Sequence, residues 1–195
     1  MRTAAAARRT RETDISLEMN LDGTGQTRLS TGIGFFDHML DALCRFALVD
    51  LTVRCQGDLA VDSHHTVEDV GICLGDALRQ ALGERAGIRR VGSAYLPMDE
   101  ALAFAAIDIS GRPFLAWEAS FSTPMCGNFD TQLAEEFFRA LAVHAGLTVH
   151  MRLLAGRNDH HRLEALFKAF GLALRDAAAP DPRVTGVLST KGSLD

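Results

Sequence analysis

Apolar and polar residues alternate over 12–21, which predicts a strand with one buried face. The almost unbroken apolar run over 101–109 predicts a strand buried more deeply. Gly23 and Gly111 then turn the chain into second strands over 26–30 and 113–121. Apolar residues recur at helical spacing over 36–46 and 131–145, and third strands follow over 50–55 and 147–154. The longest helical patterns run over 64–82 and 160–178, with Asp62 or Ser63 and Asn158 or Asp159 available as N-caps. The chain reads as β-β-α-β-α, twice.

The two passes share sequence as well as order. "LTVRCQGDLAVDSHHTVED" from Leu51 aligns without a gap with "LTVHMRLLAGRNDHHRLEA" from Leu147. "HMLDAL" from His38 aligns with "EFFRAL" from Glu136, and "ETDISLEMNLDG" from Glu12 with "EALAFAAIDISG" from Glu100. Three blocks recurring in one order mark a duplicated half of about 90 residues. A half with helices over one sheet face cannot bury all its apolar surface, so the halves should pack together. The expected fold class is α+β: a tandem duplication of a β-β-α-β-α half, with the sheet packed on a helical layer. Residues 10–92 and 93–186 form the two halves of one domain, after a flexible N-terminus over 1–9. The aperiodic tail over 187–195 is expected to be a loop, disordered or ordered by a ligand.

Composition narrows the function. Of 195 residues 47% are hydrophobic and 23% charged, which supports a sizeable core and excludes a disordered chain. The net charge of −5 argues against a nucleic-acid partner held by phosphate neutralisation. No apolar run approaches the roughly 20 residues of a membrane span. The basic start "MRTAAAARRTR" lacks the apolar core of a secretory signal. Cys44, Cys55, Cys73 and Cys126 show no C-x-x-C spacing and read as buried free thiols of a reducing compartment, so a cytoplasmic location is expected.

The chemistry concentrates in "DSHHTVED" and "NDHHRLEA", which place His64, His65 and Glu68, then His160, His161 and Glu164, at the starts of equivalent helices. Helical residues four apart lie within about 40° of each other, and adjacent ones about 100° apart. His64 with Glu68, and His160 with Glu164, can each reach one point, while His65 and His161 are splayed towards a second. Paired imidazoles with a glutamate are poor core fillers, and the duplication kept them while apolar neighbours changed. We read them as two metal sites, each borrowing from the other helix. Imidazole and carboxylate donors without thiolate suit Mn²⁺, Fe²⁺ or Zn²⁺. His38 and its repeat partner Glu136 are the candidate remaining ligands, with Asp37 a candidate acceptor for the His38 ring. His144 and His150 have no ligand-like counterparts and read as structural.

Arg90, Arg112, Lys168 and Lys191 stand at ends of elements or on the ligand face of a helix, and Ser189 and Thr190 add hydroxyls beside Lys191. Such a set suits a phosphate clamp. A metal store would explain the His/Glu helices but not these residues; a metallohydrolase of a small phosphate ester is the rival enzyme.

The stretches "GFFDHML", "DSHHTVEDVGICLGDAL", "RRVGSAYLPMDEAL", "DISGRP", "NDHHRLEALFKAF" and "STKG" resemble, in order and from Arg9 onward, the imidazoleglycerol-phosphate dehydratases of histidine biosynthesis. The resemblance implies a hydro-lyase that removes water from imidazole glycerol phosphate to give imidazole acetol phosphate. It also implies two Mn²⁺ ions per active site and a 24-subunit shell with sites between subunits. Its fold would set sheets on one side and helix bundles on the other. Residue by residue, it implies metal ligation by His38, His64, His65, Glu68, Glu136, His160, His161 and Glu164 and proton transfer by Glu12. Phosphate binding would fall to Arg90, Arg112, Lys168, Ser189 and Lys191, which makes the tail a substrate contact. Many members carry His where this chain has Glu136. Coordination at the ring nitrogens would favour an imidazolate through which the neighbouring hydroxyl is expelled.

Overall fold

The computed structural model describes residues 1–194. Its first half runs β1 (Thr3–Arg9), β2 (Thr13–Asn20), β3 (Thr27–Ser30), α1 (Gly34–Ala47), β4 (Asp50–Gly57) and α2 (His64–Leu82). The second half runs β5 (Val91–Met98), β6 (Ala101–Asp108), β7 (Phe114–Glu118), a small hairpin of β8 (Met125–Cys126) and β9 (Phe129–Asp130), α3 (Leu133–Ala145), β10 (Thr148–Ala155) and α4 (Asp159–Ala178). The sheets have orders β1-β2-β4-β3 and β5-β6-β10-β7, one the repeat of the other. In each, the outer pair on the parallel side is β3 with β4 or β7 with β10.

The duplication holds, but each half starts one strand earlier than its hydrophobic pattern indicates. Residues 1–9 are not a frayed end: β1 pairs antiparallel with β2 from Thr3↔Asn20 to Arg9↔Asp14. The second half begins at Val91, so the boundary at 93 cuts into β5. β1 is built mostly of alanine, a weak strand former, and arginine, and β5 carries Gly92 and Pro97, both strand breakers, alongside its strand formers Val91 and Tyr95. Both are edge strands, where such residues are tolerated.

The ungapped alignment from Leu51 also needs correction. Thr13–Asn20 of β2 faces Asp50–Gly57, and Ala103–Asp108 of β6 faces Thr148–Leu153. With Thr13 equivalent to Ala101, Asp50 is equivalent to Thr148, not to Gly146 as the ungapped strand would require. The two-residue shift is absorbed between strand and helix: residues 156–158 link β10 to α4 where 58–63 link β4 to α2, α4 also starting one residue ahead of its His pair, and a register irregularity at Leu153/Ala155 marks the place.

Each sheet packs on its helices, as expected, but the helices do not all lie on the far side of the molecule. α2 packs on β1 and β2 with one face and on α3 with another; α4 packs on β5 and β6 and on α1. The four helices therefore lie between the two sheets, and each close helix pair joins one half to the other. Small residues permit this. A Cβ at Gly75 of α2 would lie 2.6 Å from His144 Cβ and 2.8 Å from the Leu141 carbonyl; a Cβ at the equivalent Gly171 of α4 would strike the Leu43 carbonyl. The seam is filled by Phe36, Phe137, Phe138, Phe167 and Phe170, all fully buried. Each contributes roughly 1.5–3 kcal/mol of burial. Cys44 and Cys73 are buried as expected, while Cys55 and Cys126 are only partly so; all four are free. Among the described residues no helix is long and apolar enough to cross a membrane.

Candidate metal and phosphate site

The crossing of α1 with α4 brings His38, His160 and Glu164 together. One candidate ligand atom from each lies within 4.8 Å of the others. The Nε2 atoms of His160 and His38 are 3.2 and 3.5 Å from Glu164 Oε2. The start of α4 is fixed by its N-cap: the Asn158 side chain accepts the backbone N–H groups of His160 and His161. Phe35 meets the His160 ring edge-on at 5.1 Å and leans on buried Phe129 of the β8–β9 hairpin. Glu164 is only 7% exposed. Burial pushes its carboxyl up, but Lys168, 2.6 Å from Oε1, together with His38 and His160, outweighs this and holds it below the usual range. The carboxylate is thus ionised with one oxygen aimed at two imidazoles. That donor set fits a divalent cation of the Mn²⁺, Fe²⁺ or Zn²⁺ type.

The second imidazole of each pair points elsewhere, as the 100° step requires. His161 Nδ1 is 2.8 Å from Glu100 Oε2, and His65 Nδ1 is 3.0 Å from Asp58 Oδ2. With Nδ1–H donated to a carboxylate, Nε2 keeps its lone pair for a ligand. The same contacts raise both histidines above the ordinary imidazole value, Asp58 acting on His65 and Glu100 on His161. Glu100 in turn is held far below the carboxylate range, first by His161 and then by the backbone N–H groups of Asn158 and Arg157. Glu12, the repeat counterpart of Glu100, stands with its side chain 52% exposed and Oε1 3.8 Å from His65 Nε2.

The counterpart of the first cluster lies where α2 meets α3. His64 Nε2 is 3.7 Å from Glu68 Oε2, and His64 and Glu136 line a cavity of about 640 Å³ with Trp117 and Phe121. Glu136 Oε2 is 3.6 Å from Arg139 Nε. Asp37 does not hold the His38 ring. It accepts the Thr31 N–H and hydroxyl, because adjacent helical residues face apart, and so ties down the entry to α1.

Arg90, Arg112, Ser189 and Lys191 line a second cavity of about 620 Å³ under the C-terminal tail. Arg90 is first a brace: its guanidinium binds both oxygens of Asp108 and the Leu188 carbonyl, fixing the tail to the second sheet. Lys168 is not in this cavity; its anionic partner is Glu164, and its ammonium also lies over the Phe46 ring. The sequence reading missed Arg183, which lines the cavity and holds Asp181 down to about 2. It also missed Asp58 and Glu100 as partners of the histidines. Arg183, in the Pro- and Gly-containing stretch "DPRVTG", and Glu100, as the repeat of Glu12, were visible signals. His144 pairs with Asp76, and His150 is exposed on the second sheet beside Phe114.

Comparison with known proteins bears on this geometry. The family profile described as imidazoleglycerol-phosphate dehydratase matches residues 31–174. The protein of that name from Symbiobacterium thermophilum is 60% identical, over 99% of this chain and 93% of its own length. That from Cereibacter sphaeroides is 57% identical over the full length of both. The crystal structure of the Staphylococcus aureus imidazoleglycerol-phosphate dehydratase superposes with a TM-score of 0.84 at 38% identity, covering 92% of this chain and 99% of that one. The Pyrococcus furiosus structure gives 0.83 at 38% identity, covering 96% and 99%.

Proposed function

The chain belongs to the imidazoleglycerol-phosphate dehydratase family, and from that premise we propose that it is a metal-dependent hydro-lyase converting imidazole glycerol phosphate to imidazole acetol phosphate in cytoplasmic histidine biosynthesis. The observation that carries the metal-dependent part is the convergence of His38, His160 and Glu164 from opposite halves of the duplication. His64, Glu68 and Glu136 would hold a second ion. Bound divalent cations, Mn²⁺ in our reading, would supply Lewis-acid charge stabilisation at the azole ring.

The chain's own groups do the rest. Arg112, Lys191 and Ser189, with Arg183, would seat the phosphate under a tail pinned by Arg90. A phosphate held at one end orients the diol and ring at the other. Glu12 is half-exposed beside His65 and would carry the proton between the substrate carbon and the departing hydroxyl. His65 and His161 lie outside the three-residue cluster, each with Nδ1 fastened and Nε2 available. We infer that they complete clusters on neighbouring copies, which supports active sites between subunits of a 24-subunit shell.

The test is incubation of Mn²⁺-loaded protein with imidazole glycerol phosphate, with particle mass measured in parallel. An enolisable ketone without phosphate release is the expected product. Released inorganic phosphate would favour the hydrolase reading, and neither product would favour a metal store. A monomeric yet fully active particle would remove the shared-site proposal.

A further inference from the structure

The turn that carries Glu12 is tied to the helix that carries His65 by a buried polar network. Asp69, four residues after His65 on α2 and 5% exposed, accepts from Thr13 Oγ1 at 2.5 Å and from Arg8 Nε at 2.8 Å. The Thr13 hydroxyl is 3.3 Å from that of Thr10. Thr10 Oγ1 in turn accepts the backbone N–H groups of Glu12 and Thr13, each at 3.0 Å. On its other side the Glu12 carbonyl accepts the Asp58 N–H at 3.0 Å, and Asp58 is the residue that orients His65. The peptide of Glu12 is therefore held from two directions, both leading to the His65 helix.

The duplication supplies a control. The β5–β6 turn pairs Met98 with Ala101 as the β1–β2 turn brings Thr10 to Thr13. The positions equivalent to Arg8, Thr10, Thr13 and Asp69 are then Leu96, Met98, Ala101 and Ala165. All are apolar; Leu96, Ala101 and Ala165 are buried, and all but Met98 belong to the core proper. The same backbone closes without any network. Replacing buried ionic groups by well-packed apolar ones is often neutral or stabilising, so folding alone does not account for the polar version. The turns differ in their glutamates. Glu100 is engaged by His161 and two backbone N–H groups, which fix it directly. The Glu12 side chain has no such clamp and must be placed through its backbone.

We propose that Asp69, acting through Thr13 and Thr10, is a positioning residue that sets the Glu12 carboxylate against His65 and the substrate, an inference that rests on Glu12 as the proton-transfer group. The test uses the metal-loaded assembly with imidazole glycerol phosphate. Thr13→Val removes only the hydroxyl; it should lower kcat tenfold or more, roughly the effect of losing an orienting partner, with KM changed less than about twofold. Thr13→Ser should restore kcat. In a Glu12→Gln background the same Thr13→Val change should have almost no further effect on residual turnover, because the group being positioned is gone.

An undiminished kcat in folded Thr13→Val, or an equal loss in both backgrounds, overturns the brace while leaving Glu12 in place. Near-normal turnover in Glu12→Gln alone removes the underlying role and the brace with it. Should Thr13→Val fail to assemble, the combination Arg8→Leu, Thr10→Met, Thr13→Ala and Asp69→Ala writes the second half's packing into the first. A folded, impaired particle supports the proposal and a folded, fully active one overturns it. Failure of both to assemble also overturns it, by making the network a requirement of folding.

Discussion

At the β1–β2 turn Glu12 stands half-exposed beside His65, above a buried net of hydroxyls, carboxylate and guanidinium. At the β5–β6 turn Glu100 sits against His161 with its oxygens taken, above methyl and methylene groups. The backbone plan is shared; the chemistry has divided. One glutamate has become part of the scaffold, holding the His161 ring by Nδ1 and closing the loop before α4. The other is left with a free carboxylate, and its orientation has been moved to the residues beneath it. A duplicated fold thus shows which polar groups architecture demands and which it does not.

The largest effect should come from confusing the two glutamates. Glu12→Gln keeps shape and hydrogen bonding but removes the proton acceptor. Turnover should fall by about 10²–10⁴ with substrate binding retained, read as kcat against KM or by direct titration of substrate. A kcat close to the parent's would mean that the free carboxylate is not the one that works. Glu100→Gln should act differently: it weakens the orienting bond to His161, so Mn²⁺ affinity should drop roughly 10–100-fold. Calorimetric titration of the metal-free protein would show this, and excess Mn²⁺ should recover turnover. Turnover loss that metal cannot recover would place Glu100 in the chemistry and erase the contrast.

How far this contrast could be read from sequence depends on which force placed each residue. The repeated His-His-x-x-Glu pattern was legible because helical geometry alone dictates which of the residues share a face. The four helices and β2, β4, β6 and β10 were legible because their apolar spacing matches their burial. β1 and β5 were not, because edge strands of Ala, Gly and Pro have no contrast to read; their pairing comes from the neighbouring strand. The sandwiching of helices between sheets was likewise invisible, since Gly75 and Gly171 announce close approach without saying to what. Asp69 was illegible as the partner of Thr13 because 56 residues separate them; Asp58, seven residues before His65, was illegible because it stands in the link between β4 and α2, where no periodicity says which way a side chain turns.

Those two glycines give a test in which the halves should agree. Gly75→Ala and Gly171→Ala each force a methyl group into the opposite half's helix. Overpacking of this kind costs about 1–3 kcal/mol, or a fall in Tm of about 2–4 °C per kcal/mol for a chain of this size. Gly171→Ala should be the costlier, since it meets backbone first, whereas Gly75→Ala meets a side-chain carbon first. A silent substitution at either position would show that the two helix seams are not packed alike.

The smallest difference sits at the base of β4. Asp50 Oδ1 accepts the backbone N–H groups of Thr24 and Gln26 at 2.8 and 2.9 Å, and these contacts, Gln26 first, lower its carboxyl below the ordinary value. Its counterpart Thr148 holds the matching turn through a neutral hydroxyl, bonded to the Arg112 carbonyl and Ser110. A depressed folded-state value means that stabilisation is complete above the unfolded carboxylate range near 3.9 and is lost as pH falls through the folded value. The first-half turn should therefore loosen in acid while the second does not. Hydrogen exchange at the Thr24 and Gln26 amides should lose protection below about pH 4, relative to Phe114, whose amide is bonded to Leu147. Asp50→Asn should abolish that acid dependence and cost no more than about 1 kcal/mol at neutral pH. Equal acid opening of both turns would mean that the charge at Asp50 is not what separates them.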